Sequence, residues 1–254
     1  MKDKLVLITG ASSGIGKACA EIYAKNGANL ILVARRGEKL KELAKELEDK
    51  YSVKIHNYIF DVRNREDVIS FSKDLENSNL IPDVFINNAG LARGQDPIYV
   101  GNIEDWDTMI DTNIKGLLYM CRGVIPLMMS KNEGSIINLG SIAGRQVYAG
   151  GNVYNATKYA VRAISEATNI DLLNTNIRVC NIEPGAVETE FSIVRFNNDK
   201  EKADNVYKGF KPLVAEDIAN IIYFVTSLPP HVNVQHLLVT PTAQRSVNHT
   251  KRDL

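Results

Sequence analysis

Short apolar segments alternate with longer amphipathic segments along most of the chain, and this alternation limits the possible folds more than any other feature. Most of the apolar segments are continuous, a pattern typical of strands covered on both faces. The predicted strands are 5–9, 29–34, 54–60, 84–87, 135–139, 177–182 and 236–240, and the predicted helices are 15–26, 38–51, 65–76, 106–129, 153–173 and 216–227. Repeated strand–helix–strand units predict a doubly wound α/β domain, in which helices flank both faces of a seven-stranded parallel sheet.

One segment, residues 187–212, does not fit this alternation. It is polar and charged, it contains Gly209 and Pro212, and it follows Pro184-Gly185 at the end of a predicted strand. Ligands of α/β folds bind at the carboxyl ends of the strands, so this position predicts a substrate lid, with an ordinary surface excursion as the alternative. Because the sequence contains neither an internal repeat nor a linker, we expect residues 1–254 to form one domain.

The charge and cysteine content disfavour several classes of function. Lys and Arg together number 30, as do Asp and Glu, so no net charge attracts nucleic acid or an anionic membrane. No apolar stretch approaches the roughly 18–20 residues of a transmembrane helix. The cysteines, Cys19, Cys121 and Cys180, are far apart and fit a cytoplasmic protein without disulfides. Neither they nor the four histidines have the spacing of a metal site, so we expect no metal.

A glycine-rich turn joins the first predicted strand to the first predicted helix. The sequence Thr9-Gly10-Ala-Ser12-Ser13-Gly14-Ile15-Gly16 has the wrong spacing for a P-loop, and it also lacks the G-x-G-x-x-G pattern. At a strand-to-helix junction, however, glycines let the backbone approach a phosphate, and the helix N-terminus offers free N–H groups to it. The turn therefore predicts a dinucleotide site in a Rossmann-type domain, with a plain turn as the alternative.

The end of the second predicted strand indicates which dinucleotide binds. An NAD enzyme usually places a carboxylate there, whereas this chain has Arg35-Arg36. Guanidinium groups bind phosphate bidentately, so the pair favours NADP, although two solvated arginines are the alternative. Asp61-Val62 follows the third predicted strand and is a candidate for the adenine edge.

A candidate catalytic group combines one predicted helix with one predicted strand end. Tyr154 and Lys158 are four residues apart and share a helix face, and an adjacent ammonium is expected to move the pKa of a phenol toward neutrality. Ser141 ends the strand 135–139 and can orient a substrate oxygen. A second pair with the same spacing, Tyr207 and Lys211, precedes Pro212 and is interpreted as surface chemistry.

Together these motifs resemble the short-chain dehydrogenase/reductase family along nearly the whole chain. The matching residues are Thr9-Gly10-x-x-x-Gly14-Ile15-Gly16, Asp61-Val62, Asn87-Asn88-Ala89-Gly90, Asn113, Gly140-Ser141, Tyr154-x-x-x-Lys158, and Pro184-Gly185 with Val187 and Thr189. The resemblance implies that Ser141 anchors the substrate, that Tyr154 transfers the proton, and that Lys158 lowers the pKa of Tyr154. It also implies that Asn113 holds a relay water, that Asn87, Ala89 and Gly90 border the cofactor, and that Pro184, Gly185, Val187 and Thr189 surround the nicotinamide.

A narrower resemblance involves the stretches 153–163, 183–196, 203–212 and 228–233. They are similar to the NADP-dependent 3-hydroxy acid dehydrogenases, which implies serine, allo-threonine or a related substrate and a homotetramer. Such a substrate needs a cation for its carboxylate. Arg195 is the leading candidate, with Arg145 and Arg93 as alternatives. The tail 244–254 departs from the subgroup pattern, which leaves the subunit contacts open.

The resulting functional hypothesis is reversible oxidation of a small 3-hydroxy acid by NADP⁺ in the cytoplasm. One alternative is a broad carbonyl reductase for ketones, sugars or other alcohols, which would turn over a neutral ketone equally well. The other alternative is a non-catalytic NADP-binding regulator, against which the complete set Asn113, Ser141, Tyr154 and Lys158 argues.

Overall fold

The computed structural model describes residues 1–253. The strands are β1 (Leu5–Thr9), β2 (Asn29–Ala34), β3 (Ile55–Ile59), β4 (Val84–Asn87), β5 (Gly134–Leu139), β6 (Ile177–Pro184), β7 (Val187–Glu188), β8 (Leu213–Val214) and β9 (His236–Val239). The helices are α1 (Gly14–Lys25), α2 (Gly37–Tyr51), α3 (Arg65–Asn77), α4 (Ile103–Ile110), α5 (Leu117–Lys131), α6 (Asn152–Asp171), α7 (Glu190–Arg195), α8 (Lys200–Asn205) and α9 (Ala215–Ser227).

Seven strands form a parallel sheet in the order β3-β2-β1-β4-β5-β6-β9. The strand order reverses between β1 and β4, which places a ligand crevice above their carboxyl ends. The predicted fold class is therefore confirmed, and six of the seven predicted strands agree with the structure within one residue at each end. The exception is β6, which continues through Pro184 instead of ending at Ile182, because its pairing with β9 extends to that residue.

The two faces of the sheet carry separate apolar cores, as the continuous apolar strands predict. In β1, Val6 and Ile8 pack with α1, α2 and α9, while Leu7 packs with α3, α5 and α6 on the opposite face. All three side chains are fully buried. Burial of each such side chain stabilises the fold by about 1.5–3 kcal/mol, so this strand needs helices on both sides.

A π-helical turn interrupts the longest predicted helix. The prediction for 106–129 was one continuous helix, but α4 and α5 are joined by a π-helical turn at Asp111–Gly116. Within this turn Gly116 lies close to Val62, so that a Cβ on it would be 2.8 Å from Val62 Cγ2. Such turns are rare and occur frequently at functional sites. This one contains Asn113.

The 187–212 segment has regular structure of its own. It contains β7, α7 and α8, and β7 pairs in parallel with β8 immediately after the segment. The segment is tied to the rest of the domain where the Gly94 N–H donates to the Arg195 carbonyl oxygen over 3.0 Å. It therefore covers one end of the crevice as a short folded layer and not as an extended loop.

Within residues 1–253, no helix combines the length and the apolar character that a bilayer crossing requires.

Candidate active site

A crevice of about 930 Å³ lies above the carboxyl ends of the central strands. Its lining includes the glycine-rich turn, the ends of β2, β4, β5 and β6, one face of α6, and the 187–212 segment. Most of the predicted site residues lie here: Gly10, Ser12, Ser13, Gly14, Ile15, Arg35, Arg36, Asp61, Val62, Ala89, Gly90, Ser141, Tyr154, Lys158, Pro184, Gly185, Val187, Thr189 and Arg195. The residues that the sequence analysis scattered over the chain thus share one cavity.

The glycine-rich turn is fixed by hydrogen bonds to the end of β4. The Asn88 side-chain amide donates to the Thr9 carbonyl oxygen over 2.8 Å, and the Thr9 hydroxyl accepts from the backbone N–H groups of Asn88 and Ala89, each over 2.9 Å. Gly10 has φ +67°, and a Cβ on it would be 2.8 Å from Asn88 Nδ2. A side chain at Gly10 would therefore strain the backbone and push the two loops apart.

The turn leads directly into the N-terminus of α1. Ser13 is the N-cap in extended conformation, and among residues 1–253 no side-chain bond from it caps the first turn of the helix. The first N–H groups of an α-helix lack intrahelical acceptors and carry a positive partial charge. The cradle of Gly10, Gly14 and these amides therefore fits the pyrophosphate of a dinucleotide.

Two arginines flank the same end of the crevice. The Arg36 guanidinium donates to the Ser12 hydroxyl over 3.1 Å and to the Glu190 carboxylate over 2.7 Å, while Arg35 Nη1 lies 3.5 Å from Asp61 Oδ2. Lys39 Nζ lies 3.3 Å from the same Glu190 carboxylate. This end of the crevice therefore carries partly exposed cations, each paired with a carboxylate, that can bind a phosphate group. Sequence reasoning missed Lys39 and Glu190.

Tyr154 and Lys158 lie on one face of α6, both buried and both lining the crevice. Lys158 Nζ lies 5.9 Å from the centre of the Tyr154 ring and donates to the Leu139 carbonyl oxygen over 2.7 Å. The end of β5 thus fixes the lysine, and the helix repeat sets the phenol beside it. The pair has the side-by-side placement that its spacing predicts.

The protonation of this pair differs from the sequence-based expectation. Burial raises the pKa of Tyr154 above its ordinary value of 10, and the pKa-lowering effects of Ser141 and Arg195 do not reverse this shift. Burial also lowers the pKa of Lys158 to about 8. In the protein chain alone, desolvation therefore outweighs the expected shift of the phenol toward neutrality, because the low-polarity surroundings disfavour both charged forms.

Ser141 stands at the carboxyl end of β5 and caps a 3₁₀ turn at Ile142–Gly144. Its hydroxyl oxygen accepts from the Ala143 N–H over 3.1 Å, which fixes the side chain at the crevice wall. Hydrogen bonding with Ser141 acts to lower the pKa of Tyr154, although burial dominates that pKa. The Ser141 and Tyr154 side chains thus line the same crevice.

Asn113 is buried, and its side chain is fully engaged by the protein. Its amide oxygen accepts from the Leu91 N–H over 2.9 Å, and its amide nitrogen donates to the Leu91 carbonyl oxygen and to the Thr157 hydroxyl over 2.8 and 3.1 Å. The side chain therefore joins the π-helical turn to the loop after β4 and to α6. The implied water relay stays a prediction.

Four of the predicted residues are not part of the crevice lining within residues 1–253: Gly16, Asn87, Asn113 and Arg145. Asn87 donates to the Leu117 carbonyl oxygen over 3.2 Å and so joins β4 to α5. Gly16 packs against the Gly10 carbonyl oxygen, where a Cβ would collide. The Arg145 guanidinium pairs with the fully buried Glu183 carboxylate, which directs it away from a substrate. These four residues stabilise the structure around the crevice without lining it.

The remaining two arginine candidates both meet the 187–212 segment. Arg93 Nη1 donates to the Val194 carbonyl oxygen over 3.1 Å and to Asn197 Oδ1 over 2.6 Å. Arg195 Nε donates to the Gly94 carbonyl oxygen over 3.1 Å, and the guanidinium lies 5.7 Å from the centre of the Tyr154 ring. Of the two, Arg195 is the cation beside the candidate catalytic tyrosine.

Two tyrosines of the crevice were not foreseen. Tyr207 was interpreted as a surface residue, but its hydroxyl donates to the Val187 carbonyl oxygen over 2.8 Å and lies 2.7 Å from Ser192 Oγ, inside the crevice. Lys211 is exposed, so the second Tyr/Lys pair is not a catalytic one. Tyr148 also lines the crevice. The sequence signal that could have placed Tyr148 in the crevice was its position in the loop after β5, six residues before Tyr154.

The fold and the crevice define a dinucleotide-binding α/β protein, and comparison with known proteins agrees. The short chain dehydrogenase family matches residues 4–200. An NADP-dependent 3-hydroxy acid dehydrogenase of Schizosaccharomyces pombe is 47% identical over 253 residues, which cover 99% of this chain and 98% of that protein. This chain belongs to the short-chain dehydrogenase/reductase family.

Two further similarities are to a named reductase and to a solved dehydrogenase structure. Sulfoacetaldehyde reductase 2 of Chromohalobacter salexigens is 43% identical over 241 residues, which cover 94% of this chain and 95% of that protein. Among solved structures, the closed form of a serine dehydrogenase complexed with NADP⁺ has a TM-score of 0.91 at 42% identity, covering 98% of this chain and 100% of that chain.

Proposed function

We propose that this protein is an NADP-dependent dehydrogenase of small 3-hydroxy acids. The observation that carries the proposal is the placement of a buried tyrosine–lysine pair beside the Arg195 guanidinium in one crevice that also fits a dinucleotide. The relatives named as NADP-dependent 3-hydroxy acid dehydrogenase and as serine dehydrogenase support the same function over nearly the whole chain.

The cofactor end of the crevice fits NADP better than NAD. Arg35, Arg36 and Lys39 provide three positive charges at the end of β2 and the start of α2, where an extra phosphate needs cations. The glycine-rich turn and the N-terminus of α1 would hold the pyrophosphate. Pro184, Gly185, Val187 and Thr189 form the wall at the opposite end, where the nicotinamide ring would lie. When bound, NADP⁺ supplies the hydride acceptor.

The chain's own residues move the proton. Ser141 donates a hydrogen bond to the substrate oxygen and holds it against Tyr154. The Tyr154 phenolate takes the proton of the substrate hydroxyl as the carbinol carbon is oxidised to a carbonyl. Lys158 stands one helical turn from Tyr154, and its positive charge favours the phenolate against the burial that raises the pKa of Tyr154. In the reverse direction the Tyr154 phenol returns the proton to the carbonyl oxygen.

Arg195 binds the carboxylate of the substrate. It lies at the end of α7, its Nε is anchored on the Gly94 carbonyl oxygen, and its guanidinium reaches the Tyr154 ring. A guanidinium matches the two oxygens of a carboxylate. The 187–212 segment, which carries Arg195 and Tyr207, would act as the substrate lid.

Two broader features belong to the same proposal. The three cysteines are free, buried and separate from one another, which fits a cytoplasmic enzyme. A homotetramer is the assembly that the subgroup resemblance implies, and light scattering of the purified protein would test it. A trimer or a stable monomer would contradict it.

The function is tested by NADP⁺ reduction with serine, allo-threonine, 3-hydroxybutyrate and 3-hydroxypropionate, with NAD⁺ run in parallel. Methyl 3-hydroxybutyrate serves as the matched neutral substrate, and sulfoacetaldehyde with NADPH tests a second acid group. We expect NADP⁺ reduction with the free acids and much slower turnover of the ester. Equal turnover of acid and ester would favour a broad carbonyl reductase. Cofactor binding without turnover of any substrate would favour a regulator.

The contribution of Arg195 is tested by Arg195→Ala. A charge-assisted hydrogen bond contributes about 1.5–3 kcal/mol, so we expect kcat/KM for 3-hydroxybutyrate to fall by about 10- to 100-fold while the methyl ester is little affected. An equal effect on the two substrates would show that Arg195 does not bind the acid group.

A further inference from the structure

Two polar atoms at the substrate end of the crevice are buried without a partner. Tyr148 Oη and Arg195 Nη2 both lack a hydrogen-bond partner within residues 1–253. Both side chains line the crevice, and the Arg195 guanidinium lies 5.3 Å from the centre of the Tyr148 ring. The unpartnered phenol and the unpartnered guanidinium nitrogen are therefore neighbours in one cavity.

The surrounding structure holds both groups in place. Arg195 is anchored through Nε to the Gly94 carbonyl oxygen over 3.1 Å and packs against Tyr148, Tyr154 and Phe196. Tyr148 packs so closely on Gly151 that a Cβ there would be 2.5 Å from its ring carbons. Side chains fixed in this way lose little freedom when they bind a ligand, which favours binding.

Buried donors without acceptors destabilise a protein, so their presence in a cavity indicates an acceptor that comes from outside. The guanidinium nitrogen can only donate, and the phenol can donate through its hydroxyl. Two adjacent donors, one of them positively charged, match an anion that carries at least two oxygen atoms. The matching ligand group is therefore an acid group, a carboxylate or a sulfonate.

The Arg195 and Tyr148 side chains lie near the candidate catalytic Tyr154. The Arg195 guanidinium lies 5.7 Å from the centre of the Tyr154 ring, on the side of the crevice that also holds Tyr148. In a 3-hydroxy acid a single carbon separates the carbinol carbon from the carboxyl carbon. A molecule of this size can place its hydroxyl at Tyr154 and its acid group at Arg195 at the same time.

We infer that Tyr148 is a substrate-specificity residue, which donates its phenolic hydrogen to the substrate's acid group beside Arg195. This inference rests on the proposed function and adds a second, neutral donor to the acid-group site. It makes the site selective for an acid group at one distance from the carbinol, because the two donors must reach the same anion. No role for Tyr148 was predicted from the sequence.

The test compares Tyr148→Phe, which removes only the hydroxyl, with wild-type enzyme. We expect KM for 3-hydroxybutyrate to rise by about tenfold with kcat little changed, since one hydrogen bond to a charged group is lost. The kinetics with methyl 3-hydroxybutyrate should change much less, because a hydrogen bond to an uncharged ester oxygen contributes less than one to a carboxylate. The dissociation constant of NADPH should stay unchanged. Tyr99→Phe is the matched control, because Tyr99 is 84% exposed.

A binding measurement separates this inference from the proposed function. Malonate carries the acid group but has no hydroxyl to oxidise, so its binding to the enzyme with NADP⁺ can be measured by calorimetry without turnover. We expect Tyr148→Phe to weaken malonate binding by about tenfold and Arg195→Lys to weaken it as well. If malonate binding depends on Tyr148 while no 3-hydroxy acid is oxidised, the acid-group site stands and the proposed function fails.

Two results would overturn the inference. One is malonate binding that is the same in Tyr148→Phe and wild-type enzyme. The other is an equal loss of kcat/KM for the acid and the ester, which would show that Tyr148 supports the crevice without touching the acid group. Thermal unfolding of each variant checks that the fold is intact, and Arg195→Lys tests the same site should Tyr148→Phe fail to fold.

Discussion

The two ends of the crevice are built differently. At the cofactor end, the turn after β1 is held by backbone and amide groups, such as those of Thr9 and Asn88, which satisfy one another. At the substrate end, loops and the 187–212 segment bring Tyr148 and Arg195 together with polar atoms that have no partner in residues 1–253. A scaffold whose hydrogen-bonding groups pair with one another suits a ligand that stays constant. Loop side chains, by contrast, can differ between proteins that bind different substrates.

The comparison predicts that loss of the catalytic phenol stops the chemistry without disturbing the cofactor end. Tyr154→Phe should lower kcat by about 10²- to 10⁴-fold, because the proton acceptor is lost. The dissociation constant of NADPH, measured by fluorescence, should stay within a few-fold of wild type. A large loss of NADPH affinity would show that the two ends are not independent.

The next largest effect concerns the buried lysine. Burial lowers the pKa of Lys158 to about 8 from its ordinary 10.5. Below pH 8 the folded and unfolded states both carry the proton, and burial of the charge destabilises the fold by a constant amount. Between about pH 8 and 10.5 only the unfolded state keeps the proton, so the stability of wild type rises with pH relative to Lys158→Met, by roughly 3 kcal/mol in total.

Urea unfolding of wild type and Lys158→Met across this pH range measures that difference. Other titrating groups are shared by both proteins and cancel. Parallel stability curves for the two proteins would mean that Lys158 is not desolvated, and the account of the buried pair would then be wrong.

The preference for NADP over NAD should depend on Arg36 at the cofactor end of the crevice. Arg36→Ala should weaken NADP⁺ binding by about 10- to 100-fold and leave NAD⁺ binding nearly unchanged, because a charge-assisted hydrogen bond to the phosphate is lost. Arg65→Ala is the control, since Arg65 is an exposed arginine paired with Glu66. Equal losses for NADP⁺ and NAD⁺ would assign Arg36 to the shared part of the dinucleotide.

The smallest effect is expected for a substitution far from the crevice. The Tyr23 hydroxyl is buried and hydrogen-bonded to the Thr226 hydroxyl, which joins α1 to α9. Tyr23→Phe should lower the free energy of unfolding by about 1 kcal/mol, measured by urea denaturation. The kinetic constants should not change. A change in KM for cofactor would show that α1 transmits packing changes to the glycine-rich turn.

The sequence predicted the sheet and the glycine-rich turn well, because each depends on a local pattern. Continuous apolar runs such as Leu5–Thr9 specify a strand buried on both faces, and glycines at Gly10 and Gly14 specify the turn above it. The helix repeat is equally local, so the four-residue spacing of Tyr154 and Lys158 was enough to place them side by side.

The substrate end could not be predicted to the same depth, because it depends on contacts between distant segments. Arg145 is directed away from the crevice by Glu183, and Tyr207 is drawn into it by the Val187 carbonyl oxygen. The raised pKa of Tyr154 has a similar origin, since burial by surrounding elements is not visible in the spacing of two residues. The short helices α7 and α8 of the 187–212 segment could likewise not be predicted from its composition alone.

The central claim is that this crevice transfers a hydride from a 3-hydroxy acid to NADP⁺ while Tyr154 takes the proton. The most direct test uses 3-hydroxybutyrate with deuterium on its carbinol carbon, followed by mass spectrometry of the reduced cofactor. We predict one deuterium atom in each NADPH formed by wild type and almost no product with Tyr154→Phe. Reduced cofactor without deuterium, or full activity of Tyr154→Phe, would contradict the account.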